Sequence, residues 1–243
     1  MIAPGLPLQL VTEARSAARK VGLLRPLALL RARVLKKLGR GAYEEAFDNA
    51  LRNVIRANDV VWDVGANVGL YTTRFAEWVG RNGQVVAFEP VPTCFEELSQ
   101  RAGGLLNVRS LQRALGDADL ISAMNMSNDP LGATHSFSQH DQAATTTISV
   151  QVNRGDSLIR ELSLPKPNVI KIDVEGFEEE VLIGLDDTLH DPSCRAVLME
   201  VHFGILDQRG KRQAPAAICK RLTEMGFKLK WVDPSHLVAT RSA

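Results

Sequence analysis

From residue 60 onward, short apolar runs alternate with longer stretches of helical period. Val60–Val64, Gln84–Glu89, Asn107–Leu111, Val169–Asp173, Ala196–His202, Phe227–Val232 and Leu237–Thr240 read as strands. Apolar positions spaced three and four apart predict helices at Tyr43–Ala57, Leu70–Val79, Thr93–Ala102, Phe177–Leu189 and Arg212–Met225. Strands and helices in strict alternation build a mostly parallel sheet with helices on its faces. Asp233-Pro234-Ser235 joins the last two strands, which predicts an antiparallel hairpin at one sheet edge. Asp117–Val152 reads as hairpins and loop, with a Thr/Ser/Gln-rich stretch between Ser136 and Ser149.

The amino end differs. Pro26–Leu38 reads as a helix with Leu27, Leu30, Val34 and Leu38 on one side and Arg33 and Lys36, continued by Arg40, on the other. Residues 1–41 carry nine basic residues against one acid, a net +8, so the remainder carries −7 in a chain whose formal net charge is +1. The expected division is a basic helical extension, 1–42, and one α/β domain, 43–243. Such an arm could lie on an anionic membrane face or pack its leucines on the domain or on a second subunit, making a homo-oligomer. Nucleic acid is not expected as a partner, because aromatic residues make up only 5% of the chain.

No apolar run approaches the roughly 20 residues that span a bilayer, and arginines interrupt the amino-terminal leucines. The three cysteines, Cys94, Cys194 and Cys219, have neither disulfide nor zinc spacing. A cytoplasmic protein is expected, with peripheral contact at the inner membrane face as the variant that the arm allows.

The chemistry-bearing positions fall at strand ends. Val60–Val64 runs into Gly65-Ala66-Asn67-Val68-Gly69, a turn that lets a ligand touch backbone. A dinucleotide loop would read GxGxxG and receive a pyrophosphate on the following helix. Here Gly65 and Gly69 lie four apart and Asp63 precedes them, a carboxylate expected to repel pyrophosphate and favour a cationic, phosphate-free nucleotide. S-adenosylmethionine is such a ligand, and an NAD-dependent oxidoreductase is thereby disfavoured. Glu89, 20 residues beyond Gly69, is expected to accept hydrogen bonds from both ribose hydroxyls, with Pro90 ending the strand. Ala114 and Leu115, after the third strand, are candidates for the adenine edge.

A second cluster closes two later strands. Val169–Ile172 leads into Asp173-Val174-Glu175-Gly176, and Met199-Glu200-Val201-His202 ends the next apolar run. A hydroxyl methylated in line must lose its proton, and a histidine or carboxylate within reach can take it. His202 is the first candidate base, oriented by Glu200 or Glu175, and Asp173 is the second. These groups could gather a divalent metal, but nothing in their spacing demands one, and none is expected. The competing class is a cofactor-binding pseudoenzyme or scaffold with the same fold.

DVGANVGLYT, the FEP of Phe88 to Pro90, the RALGD of Arg113 to Asp117, NVIKIDVEGFEEEVLIGL from Asn168 to Leu185 and LMEVHF from Leu198 to Phe203 together resemble FkbM-type methyltransferases over about residues 43–205. The resemblance implies a Rossmann-like class I fold, a seven-stranded mostly parallel sheet with an antiparallel carboxyl-terminal hairpin. It also implies O-methylation of a hydroxyl on a sugar, a glycolipid or another natural product. Carried onto this sequence, it implies cofactor contacts at Asp63, Gly65, Asn67, Gly69 and Glu89 and a site role for Asp173 and Glu175.

Overall fold

A computed structural model describes residues 40–126 and 146–241. In chain order the elements are α1 (Arg40–Val54), β1 (Val60–Val64), α2 (Leu70–Val79), β2 (Gln84–Phe88), α3 (Pro92–Ala102), β3 (Val108–Leu111), β4 (Ala114–Leu115), β5 (Leu120–Met126) and β6 (Thr146–Asn153). There follow α4 (Gly155–Leu162), β7 (Val169–Ile172), α5 (Glu178–Gly184), α6 (Asp186–His190), β8 (Ala196–Glu200), α7 (Phe203–Gln208), α8 (Ala214–Glu224), β9 (Lys228–Trp231) and β10 (His236–Thr240). The helix expected at Pro26–Leu38 lies outside the described residues.

The main sheet has the order β3-β2-β1-β7-β8-β10-β9. Pairing is parallel from β3 to β8, and β10 is antiparallel to both β8 and β9. This is the class I methyltransferase sheet with its closing hairpin. β1 lies between β2 and β7, so chain order reverses at the β1–β7 boundary, where an open α/β sheet leaves a crevice beyond its carboxyl ends.

The central strands are apolar on both faces because helices cover both. One buried cluster joins Trp62, Phe88, Ile170, Ile172 and Met199 to Leu182, Leu206 and Leu222 from the helices. The other sets Val61, Val85, Val169 and Leu198 against Phe47, Leu51 and Phe75. Main-chain bonds continue the ladder past the strand ends. The Asp173 amide donates to the Val64 carbonyl at 3.0 Å, and the Gly65 and Ala66 amides both donate to the Phe88 carbonyl at 3.0 Å. The first glycine loop and the end of β7 are therefore held together as one rim.

Several expected boundaries move. The helix expected to reach Ala57 stops at Val54, before the left-handed Asn58 (φ 69°) and the Asp59 carboxylate, which accepts the Arg56 amide at 2.7 Å. The helix expected over Phe177–Leu189 is two, α5 and α6, parted at Leu185, whose φ of −111° is not helical. Within Asp117–Val152, β5 and β6 form the antiparallel pair, and β4 joins β6 in a separate three-stranded sheet. α4 and α7 were not expected. Both are short, and α7 begins where the apolar strand pattern appeared to run on to His202.

Candidate active site

Above the β1–β7 boundary opens a cleft, where an open α/β sheet binds its ligands. Of the residues expected to hold a cofactor, Gly65, Asn67, Glu89, Pro90, Ala114, Leu115 and Asp173 line it. Asp63, Ala66 and Gly69 do not. Glu175 lines it as well, beside Val174 and Phe177.

The loop's shape comes from residues with left-handed backbone. Gly65 has φ 76°, and a Cβ there would meet the Asp173 carbonyl oxygen at 1.8 Å, so only glycine lets the two strand ends approach this closely. Gly69 does not line the cleft. It caps α2 with φ 83° and leaves room for Leu98, whose Cδ1 would lie 2.7 Å from an added Cβ. Ala66 is buried against Ala87 and Leu98.

Glu89 is buried, and each of its oxygens already accepts a main-chain amide, Val91 at 2.8 Å and Asn67 at 2.8 Å. A carboxylate oxygen has a second lone pair, so Glu89 can still accept hydroxyl donors. Burial, opposed by those two amides, pushes its pKa up to about 7. A carboxylate desolvated in a cleft wall has an unmet demand for donors, which the vicinal hydroxyls of a ribose would satisfy. Pro90, Val91 and Leu115 offer apolar surface beside it. The residues thus fit the adenosine part of S-adenosylmethionine.

Asp63 requires a correction. It is fully buried, and its partners are Thr72, whose hydroxyl donates at 2.6 Å, and Lys171, whose Nζ lies 3.2 Å from Oδ1. The physical reason is register: Asp63 stands opposite Lys171 on the neighbouring strand, so the two side chains share a face. Lys171 also donates to the Gly65 carbonyl at 2.9 Å and lies 3.6 Å from Asp173. Burial works against its charge, but Asp63 and Asp173 outweigh burial and hold its pKa above the usual lysine value. Asp63 therefore fixes the rim through Lys171 and does not itself face the cleft. The negative charge facing the cleft belongs to Glu89, Asp173 and Glu175.

At the ends of β7 and β8 the second cluster assembles largely as expected, with a different orienting group. The His202 Nε2 lies 3.3 Å from Glu175 and 3.7 Å from Asp173. Its Nδ1 donates at 2.7 Å to Glu178, a fully buried carboxylate whose same oxygen accepts the Gly176 amide at 2.9 Å. Glu178, not Glu200, therefore orients the ring. Strand geometry ends at Glu200, and His202 opens α7, so the period of two that would align Glu200 with His202 does not hold. Glu200 instead faces His236 at 3.6 Å, and His236 is fixed from behind by Asp233 at 2.7 Å and by stacking on Phe47.

These contacts set the protonation states. Burial opposes charge on His202, but the Glu178 hydrogen bond, with Glu175 and Asp173, pushes its pKa up to about 9. Burial pushes Glu175 up to about 7 against the pull of His202. At neutral pH the imidazole therefore already carries its proton and cannot take another. Of the carboxylates that the imidazolium faces, Glu175 is the one whose pKa is pushed up to about 7. Glu175 holds left-handed backbone, φ 50°, an uncommon conformation for a residue with a side chain. Arg209 helps to fix that segment, donating to the Gly176 carbonyl and lying 3.5 Å over the Phe177 ring.

One atom from each of Asp173, Glu175 and His202 falls within 4.8 Å of the others, so the three could hold a divalent cation if Nε2 gave up its proton. Sequence reasoning missed Lys171, Glu178 and the Asp233–His236 pair. Lys171 was visible in the KIDVEG block, two residues before Asp173. The other two had no local signal.

Sheet order, glycine rim and carboxylate cluster define a class I methyltransferase. The sequence profile of the Methyltransferase FkbM domain matches residues 63–229, more than half of the chain, and the chain belongs to the FkbM-type family of S-adenosylmethionine-dependent methyltransferases. It is similar to the hexuronic acid methyltransferase AglP of Haloferax volcanii, 35% identical over 155 residues, 61% of this chain and 58% of that protein. It is also similar to the 31-O-demethyl-FK506 methyltransferase FkbM of Streptomyces tacrolimicus, 30% identical over 61% of this chain and 67% of that one. The chain thus spans less than two thirds of the length of AglP. A putative rRNA-methylase from Clostridium thermocellum shares the fold, with TM-score 0.50 at 10% identity over 81% of this chain and 92% of that one. Among the described residues no helix is long and apolar enough to cross a membrane.

Proposed function

We propose that the protein transfers a methyl group to a hydroxyl of a sugar-bearing small molecule, with Glu175 as the proton acceptor. The observation that carries this reading is that Glu175 and Asp173, backed by the His202 imidazolium, open onto the same cleft as Gly65 and Glu89. Bound there, S-adenosylmethionine would supply the activated methyl group. Glu89 would accept the ribose hydroxyls, Gly65 and Asn67 would border the ligand with backbone, and Ala114 and Leu115 would pack against the base. Glu175 would take the proton of the acceptor hydroxyl as that hydroxyl's oxygen bonds to the methyl carbon and the sulfonium–methyl bond breaks, leaving S-adenosylhomocysteine, and Asp173 and His202 hold Glu175 in place. The names of the AglP and FkbM relatives support an acceptor bearing hydroxyls, a hexuronic acid in one case and a demethylated natural product in the other.

We take residues 43–243 as the methyltransferase domain and 1–42 as its basic extension. Residues 26–40 are read first as a helix that packs on the domain or on a second copy, with contact to an anionic membrane face, and so a peripheral place in the cytoplasm, as the variant. Sedimentation with anionic liposomes separates the two, since only the membrane variant predicts that removing 1–41 abolishes pelleting. The main reading is tested with isotope-labelled cofactor and a panel of sugars, glycolipids and hydroxylated natural products, with mass detection of the product. Binding of S-adenosylhomocysteine with no methylated product across the panel would sink it.

A further inference from the structure

Among the described residues two aromatic side chains are exposed, Phe203 at 44% and Trp231 at 40%, and they touch, with ring centroids 5.7 Å apart and planes tilted by 38°. The fold sets them on the same sheet edge as Asp173, Glu175 and His202. Phe203 directly follows His202 and opens α7. Trp231 closes β9, where it stands opposite Leu237, and the preceding residue, His236, which begins β10, stands opposite Glu200 of β8. β9 lies three strands from β7, and neighbouring strands are about 4.8 Å apart, so the edge from the end of β7 to Trp231 spans about 14 Å. A single sugar ring with its hydroxyl at Glu175 does not cover that distance.

The border of this aromatic surface is charged: Glu200 and His236 on the strands, and His202 beside Phe203. Flat rings with a carboxylate, Glu200, at their rim suit a saccharide, whose C–H face packs on the ring while a hydroxyl can donate to that acid. A lipid chain would bury the Glu200–His236 pair without offering it any further hydrogen-bond partner. Resting on the sugar-bearing acceptor argued above, we propose that Phe203 and Trp231 form the stacking subsite for a second ring of a glycoside acceptor, the ring adjoining the one that is methylated.

The test uses the full chain and compares glucose and glucuronic acid, as methyl β-glycosides, with the corresponding β-linked disaccharides. The disaccharides are expected to show the lower KM. Trp231→Ala should raise KM for the disaccharides about ten-fold, the size of one aromatic contact. It should leave kcat, the KM of the monosaccharides and the affinity for S-adenosylhomocysteine unchanged, and Trp231→Phe should retain most of the preference. Disaccharides should also change tryptophan fluorescence in the wild-type chain and not in Trp231→Phe. Equal KM values for disaccharides before and after Trp231→Ala would overturn this inference alone. The same follows if Trp231→Ala loses binding to anionic vesicles with sugar kinetics unmoved, which would make the pair a lipid contact. A chain that binds S-adenosylhomocysteine and methylates no sugar overturns this inference and the acceptor reading together.

Discussion

The two halves of the site are built differently. The cofactor half is made of backbone: Gly65 and Asn67 in left-handed conformations, main-chain amides on Glu89, and a carbonyl held by Lys171. The proposed acceptor half is made of side-chain pairs: Glu178 with His202, Glu200 with His236, Phe203 with Trp231. A loop whose function lies in its backbone tolerates few sequences and leaves a readable trace. A surface made of side-chain pairs can be rebuilt without disturbing the fold, and this is how one sheet serves different acceptors.

The sharpest separation of the halves is Glu175→Gln. The amide keeps the shape but cannot take a proton, so turnover should fall by about 10²- to 10⁴-fold. S-adenosylhomocysteine affinity, measured by calorimetric titration, should change little. If turnover holds, Glu175 is not the acceptor of the proton and Asp173 inherits the role. Gly65→Ala should break the opposite half. The added carbon would meet the Asp173 carbonyl oxygen at 1.8 Å in a backbone region hostile to side chains, so the rim must shift. We expect a loss on the order of 3 kcal/mol in stability, read by denaturant unfolding, with cofactor binding abolished.

Glu89→Ala is expected to weaken S-adenosylhomocysteine binding by about 1–3 kcal/mol, roughly ten- to a hundred-fold, and to leave kcat at saturating cofactor largely intact. An unchanged dissociation constant would remove Glu89 from the ribose. In the wild-type chain, turnover should rise with pH through about 7. Glu175 has its folded-state pKa raised to about that value, so below it the group is protonated and unable to accept. His202 has the opposite sense in stability: with its pKa raised to about 9, its pairing stabilises the fold fully below its ordinary value near 6.5 and is lost as pH climbs through about 9.

What the sequence made legible follows the same division. The central strands β1, β2, β7 and β8 and the helix Leu70–Val79 were readable because burial on both faces and a helical stripe are local patterns. Glu89 was readable from spacing alone. The burial of Asp63 was not readable, because its partner, Lys171, lies 108 residues away and is revealed only by strand register. His202 was picked out, but its protonation was not, since that depends on Glu178, which lies 24 residues away on α5. The edge formed by Trp231 and Phe203 needs the order β8-β10-β9, which a hairpin pattern implies but does not fix.

The smallest expected effect is the most specific to the acceptor half. Glu178→Gln keeps an oxygen that can accept from the His202 Nδ1 and from the Gly176 amide, but it removes the charge behind the imidazole. The His202 pKa should then fall from about 9 toward the ordinary value, because burial, which opposes the charge, loses its main counterweight. With the imidazolium less populated, Glu175 loses the cation that restrains its own upward shift. The acid limb of the kcat profile should therefore move to higher pH by a fraction of a unit, with maximal turnover reduced only a few-fold and cofactor affinity unaltered. If Glu178 serves only to pack the base of α5, the substitution will lower stability and leave the limb where it was. A moved limb at unchanged cofactor affinity would assign to Glu178 the placement of charge on the acceptor side, as distinct from the backbone architecture on the other.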